Sequence, residues 1–145
     1  MPELVVPRPG VPEGLVALRA AAWRIGVVTN GAADNQVGKL RRTGLAGLVD
    51  GWCVSGEVGL RKPDPEVFRS AARRCRPPPG VGWVVGDDPV LDVAGGRAAG
   101  LRTCWVALGR PWPEGATAPD RVVADTHLAI SALLADLKST FCVIK

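Results

Sequence analysis

The feature that most constrains this chain is a set of short apolar runs with no polar face, each ending at polar residues. Ile25 to Thr29, Trp83 to Val85 and Thr103 to Ala107 are such runs. A strand with one wet face alternates apolar and polar residues. A strand buried on both faces reads as a continuous apolar run instead. Helical patterns lie between them. From Val11 to Trp23 apolar residues recur at Leu15, Leu18 and Ala22, with Pro12 near the start. Alternating strands and helices predict the α/β class: a parallel sheet covered by helices on both sides.

The remaining elements follow from punctuation. Asn35 to Thr43 suits a helix stopped by Gly44, and Trp52 to Val54 a short strand. Asp64 followed by Pro65 gives a cap and a proline at the first helical position, opening a helix to about Arg76. Val90 to Ala99 reads as another helix and Arg121 to Ala124 as an edge strand. Thr126 is expected to cap a last helix running to about Leu137. Residues 1–10, rich in Pro and Gly, read as an entry linker and residues 139–145 as a tail.

At 145 residues the chain fits one domain, 1–145, and can bury a core without covalent staples. The hydrophobic share of 47% argues against disorder. The net charge is only +4, and the tight basic group Lys39, Arg41 and Arg42 fits a solvated helix face. Without interleaved aromatic residues this predicts no nucleic-acid binding. The apolar runs are too short and broken for a membrane span, and no signal peptide is evident. Cys53, Cys75, Cys104 and Cys142 lack metal or redox spacing, so a reduced, cytoplasmic protein is expected.

Three polar stretches sit where strands end. They are Thr29-Asn30-Gly31, the segment around Lys62, and Asp87-Asp88 with Asp92. In open α/β sheets ligands bind beyond the carboxyl ends of the strands, so the three can converge there. Thr29 offers a hydroxyl, Asn30 an amide, and the next backbone N–H groups can cradle an anion. Lys62 supplies a compact cation for phosphate or for a carboxylate. Asp87 and Asp92, five residues apart, can face one point and hold a hard cation such as Mg²⁺. Each stretch alone has a plainer reading. Thr-Asn-Gly is an ordinary turn, Lys62 a solvated lysine, Asp87-Asp88 a helix cap, Arg61 a surface residue and Asp64 only a cap.

Taken in order, the three stretches resemble the haloacid dehalogenase-like (HAD) hydrolase superfamily. "VVTNG" resembles its second motif, "GLRKPDPEVF" its third, and "VVGDDPVLDVAGGRAAGLRTCWV" its fourth. The likeness runs from about residue 9 to residue 137. It implies a three-layer Rossmann-like core and phosphatase-type chemistry on a small phosphorylated substrate. Thr29, Asn30, Gly31 and Lys62 would hold the substrate. Lys62 and Asp87 would act in catalysis, and Asp87, Asp88 and Asp92 would bind Mg²⁺.

The family's first motif, an apolar strand ending Asp-x-Asp-Gly, has no counterpart in the sequence. No Asp-x-Asp occurs anywhere, and the first aspartate is Asp34. The cap domain that usually follows that motif has none either. The family places this strand between those ending at Thr29 and Gly86, and its first aspartate is the nucleophile. The expected sheet therefore lacks the first strand, Mg²⁺ binding would be weak or absent, and the chain alone would be nearly inactive. Three alternatives stay open: a second chain supplies the Asp-x-Asp strand, the protein is a non-catalytic binding relative, or it is a truncated product. For the gap in the sheet, Thr140 to Ile144 and Leu4 to Val6 are candidate substitutes, the former delivered by a helical crossover.

Overall fold

The computed structural model describes residues 10–30, 38 and 41–144. A six-stranded, wholly parallel sheet forms its middle layer. In chain order the strands are β1 (Arg24–Thr29), β2 (Gly51–Val54), β3 (Val81–Gly86), β4 (Arg102–Val106), β5 (Arg121–Val123) and β6 (Ser139–Ile144). They lie in the order β2-β1-β6-β3-β4-β5. The longer helices are α1 (Val11–Ala20), α2 (Pro65–Cys75) and α3 (Thr126–Leu134). This is the three-layer α/β fold expected from the apolar runs.

The last strand lies in the middle. Val27 and Val85 both pair with Ile144, so β6 is hydrogen-bonded on both sides. It takes the position that the resemblance gives to the first-motif strand. Its side chains alternate between the two cores, as a two-faced strand must. Cys142 and Ile144 join the larger one, with Leu15 and Leu18 of α1 and Ile130 and Leu133 of α3. Phe141 and Val143 join the other, with Val67, Phe68 and Ala71 of α2. Residues 139–144 are thus no tail.

Local differences from the expected boundaries have simple causes. Asp64 caps α2 by accepting from the Glu66 N–H, as expected, but the helix stops at Cys75 because Arg76 turns left-handed. The helix expected over Val90 to Ala99 begins as a wide π turn, Pro89–Ala94, before one α turn, Gly95–Ala98. At the last helix the cap is Asp125, whose carboxylate accepts from the Leu128 N–H, and Thr126 is the first helical residue. Most of the helix expected over Asn35 to Thr43, like the Leu4 to Val6 segment, falls outside the described residues.

All four cysteines are buried free thiols. Burial pushes the Cys75 thiol up to about 12 and that of Cys104 to about 11. The Cys142 thiol is also raised by burial. These thiols act as small core residues. Among the described residues no helix is long and apolar enough to cross a membrane.

Candidate active site at the carboxyl edge of the sheet

β1 ends at Thr29 and β3 at Gly86, with the end of β6 between them at Ile144. Asn30, just past β1, clasps the main chain of Lys62. Its Oδ1 accepts from the Lys62 N–H at 2.8 Å, and its Nδ2 donates to the Lys62 carbonyl at 3.2 Å. Such a paired contact fixes the main chain as a neighbouring strand would, and it aims the ammonium inward. The Thr29 hydroxyl lies 3.5 Å from the Asn30 carbonyl, at the limit of a hydrogen bond. Gly31 lies outside the described residues.

The Lys62 ammonium meets Asp92. Nζ stands 2.6 Å from Oδ1, and each side chain is only 2% exposed. The other carboxylate oxygen, Oδ2, accepts from the Asp88 N–H at 3.1 Å. Two charges buried so deeply persist only when paired and hydrogen-bonded. Gly86 makes the approach possible: a Cβ there would lie 2.3 Å from the Asp92 carboxyl carbon. Asp88 follows the plainer of its two readings. Its Oδ1 accepts from the N–H groups of Val90 and Leu91 and caps the π turn. The Asp87 carbonyl accepts from Trp105 Nε1 at 2.8 Å and from Arg110 Nη2 at 2.7 Å. The Asp87 carboxylate stands 3.9 Å from the same guanidinium.

The structure therefore brings Asn30, Lys62, Asp88 and Asp92 into one bonded group, with Asp87 joined to it through its peptide link to Asp88. No buried side-chain nitrogen or oxygen among the described residues lacks a partner. The carboxylates do not converge as a metal cage. Among the described residues no group of three His, Cys, Asp or Glu side chains could hold an ion. Asp92 is shared by Lys62 and the Asp88 N–H, Asp88 caps a turn, and Asp87 faces Arg110. The three carboxylates expected to bind Mg²⁺ do not form such a group.

Sequence reasoning missed Arg110 and Trp105 at this site. Arg110 sits in a proline-flanked loop without periodicity, and Trp105 read only as part of an apolar run. An indole N–H near a strand end, which needs a partner when buried, was the one available signal.

The chain is similar in sequence and fold to several known hydrolases. The chain is 40% identical over 129 residues to the pyrimidine 5'-nucleotidase YjjG of Escherichia coli, covering 88% of this chain and 56% of that protein. It is 39% identical to a phosphoserine phosphatase of Thermus thermophilus, over 77% of this chain and 45% of the relative. The chain thus spans about half the length of these curated relatives. Among solved structures, a HAD phosphatase from Thermococcus onnurineus superposes with a TM-score of 0.77 at 25% identity, covering 90% of this chain and 59% of that one. A 2-haloacid dehalogenase from Pseudomonas syringae gives 0.72 at 33% identity, covering 88% and 54%. The family model for haloacid dehalogenase-like hydrolases matches residues 2–100, and the chain belongs to that family.

Proposed function

We propose that this chain is a phosphatase-type core that holds a phosphorylated small molecule at the Lys62 site and does not turn it over alone. The observation that carries the reading is the sealed Lys62–Asp92 pair at the carboxyl edge, with Asn30 locking the lysine main chain. A phosphate entering there would share the ammonium with Asp92, beside the Thr29 hydroxyl and the end of β1. Asp92 holds the Lys62 ammonium in place, and Asn30 keeps the lysine main chain from swinging away.

The chemistry needs one more group. Covalent phosphoryl transfer by this family passes through an aspartate, and charge-stabilising residues do not replace a nucleophile. The central strand Ser139–Ile144 carries no carboxylate. Losing such a group commonly costs on the order of 10⁴-fold or more in rate. A second polypeptide with an apolar strand ending Asp-x-Asp could complete the site by taking the central position. The occupation of that position by β6 favours the alternative of a non-catalytic, phosphate-binding relative. Mg²⁺, expected by resemblance through Asp87, Asp88 and Asp92, would need these carboxylates to leave their present partners.

A turnover assay on the purified full chain tests the reading. With a generic aryl phosphate and Mg²⁺, hydrolysis is expected far below ordinary enzyme rates of about 1 s⁻¹. Inorganic phosphate should still bind, and Lys62→Met should abolish that binding. Turnover at about 1 s⁻¹ or faster, lost in Asp87→Asn, would overturn the proposal, as would wild-type protein that binds no phosphate.

A further inference from the structure

We propose that Arg110 is a positioning residue of this site, which clamps the Asp87–Asp88 peptide and so sets the direction of Asp87. The proposal rests on the reading of the site given above.

The geometry begins in the loop after β4. Leu108 and Gly109 both take positive φ, 52° and 79°, and the Arg110 N–H closes the turn on the Ala107 carbonyl at 3.0 Å. A leucine in this region is uncommon, and such strain persists where the surroundings hold it. The turn folds the Arg110 side chain back over the strand ends. Its Nε donates to the Ala107 carbonyl at 2.9 Å, and Nη2 reaches the carbonyls of Val106 (3.2 Å) and Asp87 (2.7 Å). The guanidinium carbon lies 5.5 Å from the centre of the Trp105 ring, a cation–π distance.

Trp105 donates to the same Asp87 carbonyl, and the N–H of the same peptide group, that of Asp88, goes to Asp92. One peptide plane is therefore held at both ends. Two donors grip its oxygen, and the carboxylate that pairs with Lys62 grips its hydrogen. The Asp87 side chain leaves the backbone next to that fixed plane, so its direction is fixed too. A planar guanidinium can bridge several carbonyls at once, which a lysine ammonium on a flexible stem does poorly.

The test uses the full chain with Arg110→Met, Arg110→Lys and Trp105→Phe. Hydrogen exchange by NMR is read at the Asp88 amide and the Trp105 indole, and inorganic phosphate is titrated alongside. In Arg110→Met, exchange at both groups should quicken by roughly tenfold, the effect of losing one to two hydrogen bonds. Amides inside β3, such as that of Val84, should not change. Phosphate should bind more weakly at an essentially unchanged melting temperature, an effect that a merely structural arginine would not produce. Trp105→Phe keeps a ring in place and should give a smaller change of the same sign at Asp88. Arg110→Lys should fail to restore the wild-type exchange rate. Unchanged Asp88 exchange in Arg110→Met, full rescue by lysine, or faster exchange without weaker phosphate binding would each overturn the proposal. If the wild type binds no phosphate, the phosphatase reading falls, while the exchange rates still decide the clamp.

Discussion

Two aspartates sit at opposite edges of the sheet, each side chain almost closed to solvent, and they are held differently. At the carboxyl edge Asp92 is sealed with Lys62, both side chains 2% exposed and 2.6 Å apart. At the amino edge Asp50, 5% exposed, accepts from the Ile25 N–H at 2.7 Å and faces Arg24 and Arg19 at 3.4 and 3.6 Å. Those arginines are 42% and 43% exposed. Asp50 also donates its own N–H to the Ile25 carbonyl at 2.7 Å, tying the start of β2 to the start of β1. Asp50 therefore works chiefly through the backbone, with charges that water can replace. Asp92 works through a charge that Lys62 answers on one oxygen and the Asp88 N–H on the other. A buried pair costs desolvation that the attraction repays only when the geometry is good. Stability alone gives little reason to seal a lysine in the turn before α2, whereas the proposed phosphate site gives one.

The largest effect should come from the element that joins the two edges. β6 pairs Phe141 with Arg24 near the Asp50 end and Ile144 with Val27 near the Lys62 end. Deleting residues 139–145 removes backbone partners from both β1 and β3 and strips Phe141, Cys142, Val143 and Ile144 from the two cores. Each buried aliphatic side chain contributes about 1.5–3 kcal/mol, and the unpaired backbone adds more. The sum rivals the whole stability of a typical domain, about 5–15 kcal/mol. Loss of the cooperative urea transition is expected. An unchanged melting temperature would show that the central strand is dispensable.

Much of this was legible, and the failures have physical causes. The buried strands at Ile25, Trp83 and Thr103 declared themselves because both-face burial leaves an apolar run that few other environments permit. Thr140 to Ile144 looked β-prone for the same reason. Its place in the middle was open, because strand order is decided by tertiary packing and not by local pattern. Asn30, Asp88 and Asp92 were picked from strand ends and Lys62 from the start of a helix between them, positions that an open α/β sheet allows to converge. The roles within that group were less legible. Asp88 caps a turn, a competition between cap and ligand that sequence cannot settle. Asp50 and Arg110 escaped notice because each acts on backbone groups far away in sequence, at separations of 25 and 23 residues. No periodicity records such contacts.

The next effect in size tests the sealed pair. Lys62→Met leaves the Asp92 carboxylate buried without its cation, which should cost about 3–5 kcal/mol. Adding Asp92→Asn removes the stranded charge while keeping an acceptor for the Asp88 N–H. The double variant should recover most of that loss. Chemical denaturation of the two singles and the double gives the coupling directly. Additive costs would mean that the two side chains do not share one energetic unit, despite their 2.6 Å contact.

The smallest effect lies at the amino edge and decides whether the contrast is real. Asp50→Asn keeps an amide oxygen able to accept from the Ile25 N–H, and the main-chain bond from Asp50 to Ile25 is untouched. What goes is the negative charge facing Arg19 and Arg24. Exposed ion pairs contribute about 0.2–1 kcal/mol each, and weakening one charged hydrogen bond adds about as much. A loss of roughly 1–2 kcal/mol is expected in urea melts at low salt. Salt should shrink it, because at about 1 M the screening length falls to about 3 Å, shorter than the arginine contacts. The Lys62→Met cost should barely move over the same range, since a pair whose side chains are each 2% exposed is screened far less than an exposed one. If Asp50→Asn instead cost about 3–5 kcal/mol at every salt concentration, Asp50 would be a sealed charge like Asp92. Burial of Lys62 would then no longer set it apart from an ordinary structural charge.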